Sequence, residues 1–273
     1  MIVVTGATGN VGRALVQYLI EAGEQVAAVS RRTPGGSLPP GVRHHAVDLA
    51  DPPALRPALD GADGLFLLVA GEDPRGLLEQ AKGAGVRKVV LLSSQGVGTR
   101  PDAYRHPAAF EAALVASGLE WTVLRSGGLA SNAYAWAEPV RAHRTAAAPF
   151  GDVGLPFVDP DDVAAVAAVV LREDGHHGAT YVLTGPAPVT PRERATAIAE
   201  AIGAPVGFQE QTREQAWSQL AEVMPPVVVE GTLAILGAPT PEERRPTPDV
   251  ECLLGRPARP FAAWAQRNAA AFR

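Results

Sequence analysis

Gly6, Gly9 and Gly12 stand three apart in Gly6-Ala7-Thr8-Gly9-Asn10-Val11-Gly12-Arg13, between the apolar run Ile2-Val3-Val4 and Val11, Ala14, Leu15, Tyr18 and Leu19 at helical spacing. Read as strand, tight turn and helix, this pattern aims a helix N-terminus and its open backbone N–H groups at whatever lies beyond the turn. Such a terminus suits the oxygens of a dinucleotide pyrophosphate. Gly6 permits the sharp exit, Gly9 leaves room for the anion to approach the amides, and Gly12 lets the helix pack close to the strand. Gly6, Thr8, Gly9, Asn10, Val11 and Gly12 are therefore expected to bind a cofactor; a glycine turn without a ligand is the alternative.

A second strand, Gln25 to Val29, leads into Ser30-Arg31-Arg32. A site selective for NADH usually carries Asp or Glu there, for the ribose 2′-hydroxyl. Two guanidinium groups suit a 2′-phosphate instead, with Arg13 within reach from the helix start, so NADP(H) is the expected cofactor. A solvated pair of surface arginines is the alternative. Asp48-Leu49 closes a third strand where adenine usually lies, Val69-Ala70 a fourth beside the nicotinamide ribose, and Ser93 sits at the end of a fifth. All are expected to line the cofactor.

The elements carrying these residues alternate. Strands at His44 to Val47, Gly64 to Val69, Val86 to Leu92, Trp121 to Leu124 and Thr180 to Leu183 are interleaved with helices from about Pro74, Pro107 and Pro160, which reads as an α/β Rossmann fold with a doubly wound parallel sheet. Capping boxes at Thr190/Glu193 and Thr212/Gln215 open two more helices, and a last helix is expected over about Pro260 to Ala270. The rhythm breaks over Ser126 to Gly154. Residues 1–125 with about 151–175 are expected to form the NADP-binding unit, and about 126–150 with 176–273 a smaller C-terminal α/β substrate lobe.

The 273 residues carry a net charge of −5 with scattered basic groups, and 47% are hydrophobic, which argues for a well-packed core and against a nucleic-acid partner. No apolar run reaches about 18 residues without Gly, Pro or a charge, so no membrane span is expected. Cys252 stands alone and no leader is recognisable, giving a cytoplasmic expectation. His44-His45 and His176-His177 lack ligand spacing and accompanying carboxylates, so no metal is expected. Oligomeric state is not legible.

The glycine segment, Leu92-Ser93-Ser94-Gln95-Gly96, Ser117-Gly118-Leu119-Glu120-Trp121-Thr122-Val123-Leu124-Arg125 and the tail from Gly255-Arg256-Pro257 through Phe261, Trp264 and Phe272 together resemble the NmrA-like and quinone-oxidoreductase-like atypical short-chain dehydrogenase/reductases. The resemblance runs nearly end to end. It implies a Rossmann lobe binding NADP(H), a small lobe closing over a cleft, and either reduction of quinones and ketones or a regulatory role without turnover.

Ser94 takes the place of the serine in the wider dehydrogenase pattern. Tyr104, however, is followed four positions on by Ala108, and neither lysine of the chain, Lys82 or Lys88, lies downstream. Without that charge a tyrosine is a poor acid near neutral pH. The catalytic candidates are accordingly Ser94, His106, whose imidazole could deliver a proton, and Tyr104, which otherwise serves as a pocket wall. Gln95 and Asn132 are expected to orient substrate, and Tyr134 and Trp136 to stack on it. The expected function is NADPH-dependent hydride transfer to a ketone or quinone of a bulky aromatic or polyketide-like compound, without a Tyr-Lys pair. The alternative is a non-catalytic NADP(H)-binding sensor of NmrA type.

Overall fold

Strands that are apolar on both faces can be satisfied only between two layers of helix. In the computed structural model, which describes residues 1–32 and 38–273, β1 (Ile2–Thr5) and β2 (Val26–Ser30) are buried at every position. With β3 (Arg43–Ala46), β4 (Gly64–Leu68), β5 (Lys88–Ser94), β6 (Glu120–Ser126) and β8 (Ala179–Leu183) they form a seven-stranded sheet. Its order is β3-β2-β1-β4-β5-β6-β8, and every ladder is parallel. Val3, Leu65 and Leu91 meet the helices Pro74–Gly83 and Arg105–Ala116 on one face, through Leu77 and Leu114. Val4, Phe66, Val90 and Leu124 meet Asn10–Glu21 and Pro160–Arg172 on the other, through Leu15, Val163 and Val166. Each such side chain contributes about 1.5–3 kcal/mol of burial.

The winding reverses between β1 and β4, so the chain leaves these two strands in opposite directions and opens a crevice at their carboxyl ends. Thr5, fully buried, holds the edge of that crevice. Its hydroxyl donates to the Phe66 carbonyl and accepts from the Leu68 N–H, both at 2.9 Å, extending the pairing beyond Val4 and Phe66, where the ladder ends.

The second sheet is a parallel pair, β7 (Thr145–Ala148) with β9 (Gly207–Glu210). Helices Pro191–Ile202 and Arg213–Leu220 open on the capping boxes at Thr190 and Thr212. Trp136, Ile198, Phe261, Trp264 and Phe272 form this lobe's own core.

Two sequence expectations are corrected. β8 is the seventh strand of the large sheet, bonded to β6 from Thr122 to Ser126, so the chain returns to the Rossmann unit beyond residue 176. The last helix ends at Arg267 and resumes as a short turn over Ala269–Phe272. The break falls at Asn268, whose backbone leaves the helical region (φ −109, ψ 13) and whose side-chain amide shares the Trp264 carbonyl with its own backbone N–H.

Candidate functional site

The glycine turn is built by close approach. Gly6 adopts φ 63, and a Cβ there would lie 2.1 Å from a Leu68 methyl; a Cβ on Gly12 would lie 2.2 Å from the Gly6 carbonyl oxygen. Gly9 precedes the helix Asn10–Glu21, which has neither a side-chain cap nor an acidic residue in its first turn. The helices that open at Thr190 and Thr212 carry both. The free amides of Asn10, Val11 and Gly12, beside a turn too tight for side chains, fit a dinucleotide pyrophosphate. Thr8 lies on the exposed side of the turn, and its carbonyl receives the Arg13 guanidinium at 3.2 Å.

At the carboxyl end of β2, Arg31 and Arg32 are both exposed. Ser30 turns the backbone there, its hydroxyl donating to the Arg32 carbonyl at 2.7 Å. Asp48 stabilises the exit from β3 by accepting from the Ala50 N–H at 3.0 Å, while Leu49 is buried. Gly71, at φ 80, lies so close to Leu49 that a Cβ would come within 2.5 Å of its carbonyl oxygen. The segments after β3 and after β4, with Val69 and Ala70, thus form one wall at the switch point.

Beyond β5 the chain and the second lobe enclose a cavity of about 200 Å³. Ser94, Gln95, Tyr104 and Asn132 all line it, joined by Phe157, Met224, Thr232 and Glu243. The Tyr104 ring lies against Gly96, where a Cβ would clash at 2.5 Å, and shares the cavity lining with Thr232. Burial holds this phenol above its ordinary pKa, with Glu243 adding to the rise against the pull of Thr232 and Arg100. Neither lysine is placed to reverse this: Lys82 Nζ donates to the Ser117 carbonyl at 2.8 Å and Lys88 Nζ to that of Glu173 at 2.5 Å.

Four expected site residues are placed elsewhere. His106 is on the outer rim, its Nε2 2.7 Å from the Gly71 carbonyl and its ring edge-on to Phe110, so it braces the wall after β4 and is absent from the cavity. The Ser93 hydroxyl donates to Glu111 at 2.6 Å, a carboxylate that also takes both prongs of Arg125. Its side chain anchors β5 to the helix Arg105–Ala116. Tyr134 packs against Trp264 and Phe272 and donates to Asn268. Trp136 is buried beneath the Arg194 guanidinium. Both aromatics pack with the second lobe's core and neither lines the cavity beyond β5.

The sequence reading passed over Thr232 and Glu243. The signal for Glu243 was present: Thr240 and Glu243 form a third capping box, with the spacing of Thr190 and Glu193. Its carboxylate, buried beside the cavity, also accepts from Arg100. Burial would raise this carboxyl, but hydrogen bonds from Arg100, the Thr240 N–H and Thr99 outweigh it and hold the pKa below its ordinary value.

Among the described residues no helix is long and apolar enough to cross a membrane.

The family described as NAD(P)H-binding matches residues 6–174. Along its whole length the chain is 37% identical to (4-alkanoyl-5-oxo-2,5-dihydrofuran-3-yl)methyl phosphate reductase of Streptomyces griseus, covering 99% of that protein. It is 31% identical to the NAD(P)H azoreductase of Xenophilus azovorans, again over 100% of this chain and 99% of the relative. Among solved structures, the NADPH complex of the NADPH-dependent quinone oxidoreductase of Escherichia coli superposes with a TM-score of 0.79 at 25% identity, covering 98% of this chain and 99% of the other.

Proposed function

Because the chain belongs to the NAD(P)H-binding oxidoreductases, in the quinone-oxidoreductase-like and NmrA-like branch of the atypical short-chain dehydrogenase/reductases, we propose that it is an NADPH-dependent reductase of bulky, conjugated, electron-poor acceptors. The single observation that carries this reading is the convergence of Ser94, Gln95, Tyr104 and Asn132 on one cavity at the carboxyl end of β5, with both lysines engaged elsewhere.

The glycine turn and the first amides of Asn10–Glu21 would hold the pyrophosphate, Arg31 and Arg32 the 2′-phosphate, and the wall of Asp48, Leu49, Val69 and Ala70 the nucleoside. When bound, NADPH supplies the hydride. The protein's share is to position the acceptor and exclude water. The Ser94 hydroxyl and the Gln95 and Asn132 amides donate hydrogen bonds to an acceptor oxygen, stabilising the negative charge that develops there. Tyr104 closes the cavity as a wall, since its raised pKa leaves it a weak acid. A site of this kind works best on an acceptor that needs no strong proton donor: a quinone, whose aromatic product carries negative charge well, or a ketone beside a phenolic hydroxyl that polarises the carbonyl internally. Holding donor and acceptor at about 3–3.5 Å then accounts for much of the rate. The furanone, azo and quinone reductases among its relatives act on conjugated acceptors by name, in support of this reading.

The test is NADPH oxidation with a quinone, an aromatic 2-hydroxyketone, its methyl ether and an aliphatic ketone of similar size. The first two should turn over far faster. Equal rates for aromatic and aliphatic ketones, or no effect of the methyl ether, would overturn the substrate-assisted account.

A second reading, an NADP(H) sensor without turnover, draws on one observation: a cavity of about 200 Å³ is below the roughly 300–1,000 Å³ of ordinary ligand pockets. Nucleotide binding with no turnover of any of these acceptors would favour it.

A further inference from the structure

Ser30 ends β2 with a buried hydroxyl, and that hydroxyl holds a single proton. It gives the proton to the Arg32 carbonyl at 2.7 Å. In its second contact, 2.8 Å from His44 Nε2, it must therefore accept, so Nε2 of His44 carries hydrogen. His44 lies on the neighbouring strand β3, in register with Ala28 and thus two residues short of Ser30. The main chain continues the connection: the Val47 N–H donates to the Ser30 carbonyl at 3.0 Å. A directed chain of hydrogen bonds thus runs from the imidazole, through the serine hydroxyl, to the backbone of the second arginine. Among the described residues this is the polar side-chain link between β3 and the Arg31–Arg32 turn.

We propose that His44 and Ser30 are positioning residues for cofactor selectivity, holding the Arg31–Arg32 turn in the conformation that receives a 2′-phosphate. The proposal rests on the NADPH preference argued above. A long, exposed guanidinium loses rotational freedom when it binds, and a fixed backbone at its root lowers the number of conformations it must give up. The relay acts on the phosphate end alone, because the nucleoside wall of Asp48, Leu49 and Gly71 is held by other contacts.

The experiment is calorimetric titration of NADP⁺ and of NAD⁺ into the wild type, His44→Ala, Ser30→Ala, His44→Gln and the Arg31→Ala/Arg32→Ala double variant. His44→Ala and Ser30→Ala should each weaken NADP⁺ binding by about fivefold, the size of one neutral hydrogen bond, and leave NAD⁺ binding unchanged. His44→Gln, whose amide can donate to the same oxygen, should restore most of the difference. Equal losses for both nucleotides, or no loss for NADP⁺, would overturn the relay. The double variant separates the two readings. If it abolishes discrimination while His44→Ala and Ser30→Ala preserve it, the relay alone is wrong; if discrimination survives in the double variant, the assignment of the arginines falls and the relay with it.

Discussion

Arg100 and Glu243, 143 positions apart in sequence, meet in a two-pronged contact, the guanidinium Nε and Nη2 each 2.9 Å from a carboxylate oxygen. The same Nη2 donates to the Ala238 carbonyl, so one arginine ties the loop after β5 to the segment that follows the helix Pro226–Gly237. That helix roofs the cavity, with Gly231 admitted close to Ala103 and Tyr104 and with Thr232 on the lining. The Glu243 carboxyl is held below its ordinary pKa, so the unfolded chain binds the proton more tightly than the folded one. The stability this supplies is present above the ordinary glutamate value of about 4.3 and is lost as pH falls through the lower folded value. Glu243→Gln should be less stable at neutral pH, by about 1–3 kcal/mol. The gap should narrow in urea unfolding between about pH 5 and pH 3. A gap independent of pH would mean that the charge on Glu243 is not what holds the roof.

Tyr104→Phe keeps the ring that packs on Gly96 and removes only the hydroxyl. A weakly acidic phenol without a cationic neighbour at its fourth following residue should contribute little to proton transfer. The expected loss in kcat is under about threefold, whereas removal of a working general acid costs about 100-fold or more. Ser94→Ala and Asn132→Ala, measured beside it with the same quinone, should each cost more than Tyr104→Phe. The reverse order would restore tyrosine as the acid.

What the sequence made legible here follows from the range of the interactions involved. The glycine turn and the two arginines are local chemistry: spacing alone forces a strand to exit into a helix N-terminus, and Ser30-Arg31-Arg32 directly succeeds a strand. Ser94, Gln95, Tyr104 and Asn132 line one cavity because the end of β5, the start of the helix Arg105–Ala116 and the turn Ala130–Trp136 after β6 all lie on the same side of the parallel sheet. Tyr134 and Trp136 pack with the second lobe's core, a placement the sequence leaves open because an aromatic ring suits a ligand and a core equally. Their placement is decided by Trp264, Phe272 and Arg194, far along the chain. Likewise the run Thr145-Ala146-Ala147-Ala148 has little strand character of its own and becomes β7 only against β9.

Gly12→Ala tests the turn itself. The added methyl would meet the Gly6 carbonyl oxygen at 2.2 Å and the Ala7 Cα at 2.9 Å, both backbone atoms that cannot rotate away. Helix and turn must separate, which displaces the amides that would face the pyrophosphate. Overpacking of this kind costs about 1–3 kcal/mol and should lower the melting midpoint by about 3–10 °C. NADP⁺ affinity should fall by about tenfold or more, the worth of one charge-assisted hydrogen bond. A variant that melts with the wild type and binds NADP⁺ equally would contradict the close-packed turn.

Arg194 offers a different test, of how the wall of the cavity is supported. Its guanidinium is buried over Phe157 at 4.0 Å, Trp136 at 4.8 Å and Phe261 at 5.9 Å from the ring centroids, and its Nε has no hydrogen-bond partner. Burial pushes its pKa down to about 10, so it remains charged at neutral pH but at an energetic cost. Against that cost stand the cation–π contacts, each about 0.5–2 kcal/mol, and the dispersion of a flat group between rings. If the two nearly cancel, Arg194→Met should change stability by no more than about 1 kcal/mol, since methionine fills the slot without a charge to desolvate. Arg194→Lys should be worse by about 2 kcal/mol or more, because an ammonium is strongly hydrated and cannot stack. Guanidinium unfolding of the three proteins decides the order. Phe157 lines the cavity and rests on this residue, so the lysine variant should also raise KM for a bulky quinone while the methionine variant leaves it near the wild-type value. If methionine proves as damaging as lysine, the charge itself is required at this position and the balance drawn between desolvation and stacking is wrong.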